Sequence, residues 1–213
     1  MGAKTWMLVV ASEHVPSLLS NKPILDRDAT ENFVQNLFPK ETLESIEDGD
    51  LSYTCPPDDE IYAGCYNGVT IVAAKEFGID YPSKLDSKFL VSKSGTTTYL
   101  HAMHSVSDWF AFSIWEDGHL VRSLSLSSDD GVLESIGEKL PFEVAYWDGE
   151  HPAVEPEEMD EYPLPFHPLE LGEEVLKEFF GYQLEGYTEE ALLVPEEIVL
   201  AGYKRKKPSW KFW

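Results

Sequence analysis

The chain has 213 residues, 43% of them hydrophobic and 13% aromatic, and carries a net charge of −23. That length and apolar content supply a core for one large or two small domains and exclude a disordered chain. The charge excludes ordinary nucleic-acid binding by the acidic body, because such a surface repels a phosphate backbone.

No apolar run is long enough to cross a bilayer as a helix, and no secretory signal opens the sequence. The first residues approach a myristoylation site, but Trp6 stands where that motif needs Ser or Thr. A cytoplasmic location is expected, with Cys55 and Cys65 as two reduced thiols in one loop. Neither belongs to a C-x-x-C pair. Five of the 16 basic residues fall in the last ten positions: Lys204, Arg205, Lys206, Lys207 and Lys211. Residues 1–203 therefore read as a single domain with 39 acids against 11 bases, and 204–213 as a basic-aromatic tail. That tail is suited to docking on an acidic surface of its own chain or of a neighbour.

In chain order, Trp6 to Ala11 is a continuous apolar run, the pattern of a central strand. Ser12 to Leu25 reads as a connection. Asp28-Ala-Thr-Glu31 has the spacing of a capping box, with Asp28 as the cap. Phe33, Val34, Leu37 and Phe38 follow at helical spacing, and Pro39 ends the helix. Thr42 to Tyr53 reads as one strand or two short ones. Cys55 to Glu60 is a stiff acidic loop. Val69 to Ala74 is a strand, a short helix capped by Ser83 follows Pro82, and Thr97 to Met103 is a further strand.

Asp108 to Ser127 is a β-hairpin with Asp117-Gly118 at its turn. A two-residue loop would pair Trp115 with Leu120. A three-residue loop, Glu116 to Gly118, would pair Trp115 with His119. The second choice places Phe110, Phe112 and Ile114 on one face with Leu120, Leu124 and Leu126, and burial favours it. It also sets Arg122 on that apolar face, opposite Phe112, where the guanidinium needs a carboxylate or a route to water. The other face, with Trp109, Trp115, Ser123 and Ser125, is either covered by a helix or is a binding surface. Covering is the expected outcome, since large exposed apolar patches are unusual.

After the hairpin, Asp129 or Asp130 reads as the cap of a short helix with Val132, Leu133, Ile136 and Leu140 buried. Phe142 to Trp147 reads as a strand. Asp148 to Glu161 is an exposed acidic loop with no basic residue. Pro168 opens a helix that Gly181 ends. Tyr182 to Tyr203 carries little pattern. The sum is an α+β fold, a mainly antiparallel sheet with helices packed on it.

Five strings carry a resemblance over nearly the whole chain: MGAKTWMLV, DGDLSYTCPPDDEI from Asp48, VAAKEFGIDYPS from Val72, YLHAMHSVSDWFAF from Tyr99 and YPLPFHPLELG from Tyr162. Together they resemble an actinobacterial family that is a domain of unknown function. The resemblance implies no catalytic residues.

Of the residues that could carry chemistry, His101, His104 and Asp108 are the candidate metal ligands. Strand spacing opposes them, because residues three apart face opposite sides. Asp58, Asp59 and Glu60 lack the ligand spacing of a calcium loop. A Cys55 or Cys65 nucleophile would need His101 or His104 as its base. Ser123, Ser125, Ser127 and Ser128 lack a G-x-S-x-G elbow, and no phosphate-binding glycine loop is present. No cofactor is expected. The sequence points to a non-enzymatic protein-binding or regulatory module, with a metal-assisted hydrolase built on His101, His104 and a carboxylate as the alternative.

Overall fold

Residues 2–20, 22–90, 94–154, 162–185 and 193–206 are described by a computed structural model. In chain order the elements are β1 (Lys4–Ala11), α1 (Val15–Leu19), α2 (Arg27–Leu37), β2 (Leu43–Asp50), β3 (Glu60–Tyr66), β4 (Val69–Ala73), β5 (Thr97–His104), β6 (Trp109–Glu116), β7 (His119–Ser127), β8 (Gly131–Ile136), α3 (Glu143–Trp147), α4 (Pro168–Phe180) and β9 (Val199–Arg205). Three 3₁₀ turns lie between β4 and β5. Among the described residues one nine-stranded sheet runs β2-β9-β3-β4-β1-β5-β6-β7-β8. Every neighbouring pair is antiparallel, so the fold is α+β.

β1 sits at the centre of the sheet, where its apolar run belongs. Its side chains alternate between two cores. Met7, Val9 and Ala11 face a core beneath α1 and α4. Leu8 faces a second core beneath α2 and the 3₁₀ turns, with Val34, Phe77 and Phe89. The sheet is thus covered on both sides. α4 begins at Pro168 and ends at Gly181, which takes φ 75 and donates its N–H to Lys177. Gly172 lets this helix close on the sheet: a Cβ there would stand 2.8 Å from Met103 Sδ and 3.0 Å from Phe110.

Several expected elements are different. The cap of α2 is Asp26, whose carboxylate accepts the Ala29 N–H, and not Asp28. Cys65 lies on strand β3 and not in a loop with Cys55; both thiols are free. The helix after Pro82 is a single 3₁₀ turn, and Ser83 bonds Glu134 instead of capping it. Residues 131–136 form strand β8 and not a helix: Gly131 and Gly137 take φ 72 and φ 83, turn conformations that bracket an edge strand. Val132 and Ile136 are exposed on it. Phe142 to Trp147 is not a strand but contains the short helix α3. β9 emerges from the weakly patterned 182–203 segment and includes Lys204 and Arg205, so the sheet extends past residue 203. Residues 155–161 of the acidic loop and 207–213 of the tail lie outside the described residues.

The hairpin resolves its two possible loops in an unexpected way. The turn has two residues, with Asp117 at φ 50 and Gly118 at φ 80, and pairs Glu116 with His119 and Trp115 with Leu120. A bulge at Val121 then shifts the register, so that Ile114 pairs with Arg122, Phe112 with Leu124 and Phe110 with Leu126. The bulge restores the core face that the three-residue loop would have given. It moves Leu120 to the opposite core and sets Arg122 across from Ile114 instead of Phe112.

Arg122 is 1% exposed and finds its carboxylate in Glu143 at the start of α3. The pair is bidentate, at 2.9 and 2.6 Å. The third guanidinium nitrogen donates to Ser123 O, Ser135 Oγ and Ile136 O. Glu143 also accepts from Leu140 N and Trp147 Nε1. Breaking such a pair strands a buried charge, so Arg122→Met should cost about 3–5 kcal/mol in urea unfolding. Adding Glu143→Gln, which removes the stranded charge yet can still accept from Leu140, should recover part of that loss. A double variant less stable than Arg122→Met alone would show that the pair is not the constraint.

Candidate functional site

The candidate metal ligands do not converge. His101 and His104 occupy opposite faces of β5. The His101 ring is fully buried between β1 and α4. Its Nε2 lies 3.0 Å from Gly172 O and its Nδ1 2.6 Å from Thr5 Oγ1. A carbonyl can only accept, so Nε2 carries the proton and Nδ1 accepts from the threonine hydroxyl. His104 stacks on Trp6 across the other face, with ring centroids 6.3 Å apart. Asp108 stands 3.8 Å from His167 Nε2 instead. Among the described residues no group of His, Cys, Asp or Glu has the arrangement of a metal site, and the geometry gives a hydrolase built on His101 and His104 no support.

The second face of the hairpin is buried. Trp109 and Trp115 are 9% and 3% exposed, and Ser113, Ser123 and Ser125 are fully covered. The cover is the segment of 3₁₀ turns and not a helix. Glu134 fastens it, accepting from Ser83 N, Ser83 Oγ and Ser123 Oγ, while Ser113 and Ser123 share a hydroxyl contact at 2.5 Å.

The open space lies at one end of the sheet, where β1 begins and β5 ends. Two clefts meet there, of about 940 Å³ and about 520 Å³. Trp6 and His104 line both, so their stack is the ridge between them. Gly78 packs against the Trp6 indole, where a Cβ would stand 2.9 Å from Nε1. The larger cleft is walled by Tyr53, Cys55, Asp58, Glu185 and Glu196, with Lys4 as its basic side chain. The smaller is walled by Asp80, Tyr81, Trp109, Asp129 and Asp130, with no Lys or Arg. These residues come from loops far apart in sequence. No local pattern announces them; Trp6 at the head of the central strand was the nearest signal.

Burial pushes the Cys55 thiol up, only partly opposed by Lys4. Burial and Lys4 both push His104 down. Both shifts favour the neutral thiol and the neutral imidazole. The wall at 183–185 is fixed from below. Glu173 accepts from Leu184 N and Glu185 N, and the Glu185 carboxylate accepts from Ala3 N at 2.8 Å.

The fold and site define an acidic α+β protein with a doubly covered antiparallel sheet and paired aromatic-acidic clefts at one end. Residues 5–203 match the family of unknown function DUF6928, and the chain belongs to that family. No curated protein and no solved structure matches it.

The fully buried His101 and the half-buried Glu173 are shifted into the same pH range with opposite effects. Burial lowers His101 from an ordinary 6.5 to about 4, so stability is complete above 6.5 and is lost as pH falls toward 4. Burial raises Glu173 from an ordinary 4.5 to about 7, so its contribution is complete below 4.5 and is lost as pH rises toward 7. The two offset each other between about pH 4.5 and 6.5. Unfolding of His101→Gln should therefore show stability that gains on acidification relative to the parent, and Glu173→Gln the reverse. Variant curves parallel to the parent would show that neither group carries the shift.

Proposed function

We propose that this protein is a non-enzymatic binding module of the cytoplasm, of actinobacterial origin, whose paired clefts receive a basic segment of a protein partner. The observation that carries this reading is the charge of the cleft walls. Asp58, Asp80, Asp129, Asp130, Glu185 and Glu196 line them against one basic side chain, Lys4. Aromatic side chains interleave with those carboxylates, giving apolar contact for the stems of lysine or arginine.

The chain's own basic end supports the same chemistry. Lys204 pairs with Asp59 and Glu60, Arg205 with Glu41 and Glu76, and Lys206 with Glu44. We take residues 207–213 to continue this habit on an acidic surface of the same chain or of a neighbour, in competition with a partner.

The test is calorimetric titration of the full chain with a synthetic decapeptide of the 204–213 sequence and with a charge-reversed control. Saturable binding is expected for the basic peptide alone, weakening steeply with salt. Asp129→Asn with Asp130→Asn and Glu196→Gln should weaken it at least about ten-fold. A chain lacking 207–213 should bind the peptide more tightly. Equal binding of both peptides, or none at low salt, would refute the proposal.

A further inference from the structure

We infer that residues 207–213 dock in the larger cleft of their own chain and close it against a partner. The side chains of Trp210, Phe212 and Trp213 fill its apolar part, and Lys207 and Lys211 face its carboxylates. The inference rests on the reading of the clefts as a receptor for basic segments and deepens it by naming an occupant.

Topology brings the tail to this place. Gly202, Tyr62, Ala73 and Met7 stand level across β9, β3, β4 and β1. β9 therefore leaves the sheet at the end where β1 begins, the end that holds the clefts. Its last residues are fastened there. Arg205 N donates to Asp59 O at 2.7 Å, and the Arg205 guanidinium donates to Asp58 O at 2.7 Å. Asp58 lines the larger cleft. Three strand spacings separate β9 from β1, about 14 Å at about 4.8 Å each. The seven residues from 207 to 213 extend to about 23 Å, so the tail spans that distance.

Composition matches the tail to the cleft. Trp6, Tyr53, Pro56, Val106, Leu184 and Pro195 give the cleft apolar walls. Tyr53 and Val106 are 52% and 78% exposed, which leaves apolar surface open to an aromatic ligand. Asp58, Glu185 and Glu196 stand on the same walls against Lys4. Of the other long stretches outside the described residues, 155–161 holds five acids and 186–192 holds two, and neither holds a base. Residues 207–213 hold two lysines, two tryptophans and a phenylalanine, and no acid. Charge and aromatic content therefore select the tail as occupant. Its tether to β9 makes docking intramolecular, at a high effective concentration that a separate partner must overcome.

Cys55 lines the same cleft and serves as its reporter. The experiment measures the rate at which iodoacetamide alkylates Cys55 in the full chain carrying Cys65→Ser. A tail docked about nine-tenths of the time leaves the cleft open about one-tenth of it, so undocking should raise the rate about ten-fold. That rise is expected in the full-length triple variant Trp210→Ala, Phe212→Ala, Trp213→Ala. The 204–213 decapeptide added to the triple variant should slow alkylation again. The same peptide with alanine at its three aromatic positions should not. The parent rate should be independent of protein concentration, as docking within one chain requires. An unchanged rate in the triple variant, a rise that the decapeptide does not reverse, or parental protection that grows with protein concentration overturns the inference. If the triple variant's rate is unchanged while the decapeptide binds the full chain, docking of the tail is wrong and the receptor reading stands. If the decapeptide does not bind either, both fail.

Discussion

The buried Arg122–Glu143 pair is the constraint on which this end of the fold depends. An arginine on an apolar sheet face is untenable alone, since desolvation of a guanidinium costs several kcal/mol. Its partners come from β7, β8 and the start of α3. The pair therefore fixes three things that hydrophobic burial leaves open. It sets where the bulge in β7 must fall, since only an even register sends residue 122 inward. It ties the carbonyl at the end of β8. It holds Glu143 at the start of α3, where the carboxylate also accepts from Leu140 N.

Much of the fold was legible because alternation and helical period are local. The central strand, the core face of the hairpin, the need of Arg122 for a carboxylate, and α4 with its proline start and glycine end all follow from short stretches. What was not legible depended on distant partners. Val132 to Leu140 has helical spacing, yet the two positive-φ glycines and pairing with β7 make its first part a strand. Phe142 to Trp147 has a strand's composition, yet it holds the short helix α3, whose Glu143 pairs with the distant Arg122. β9 carries no alternation because it is buried between β2 and β3 on both faces, at Leu200, Ala201 and Tyr203.

The candidate site was less legible than the fold for a similar reason. Histidine spacing drew attention to His101 and His104, and strand geometry separates them. His101 is a structural clamp, with its two nitrogens joining β5 to β1 and α4. His104 reaches the clefts, but through a stack on Trp6 and not through a ligand set. The cleft walls come from turns before β3, before β5, between β7 and β8, and after α4. Loops of that kind have neither period nor spacing to read, and the tertiary fold alone brings them together.

Charge gives the last step. Many of the basic side chains of the described residues are already engaged: Arg122 in the core, Arg27 on Asp48, Lys75 on Asp58, and the three at 204–206 on β2, the 58–60 loop and Glu76. All of these pairs except that of Arg122 gather at the β2–β9–β3 side of the sheet, and among the described residues Asp80, Asp129 and Asp130 on the far wall of the ridge make no ion pair. Self-repulsion among unneutralised carboxylates opposes the compact state. A partner that supplies positive charge at the ridge relieves that repulsion and adds apolar contact at the same place. In the proposed reading, the carboxylates and the aromatic walls of the clefts act on the same basic segment.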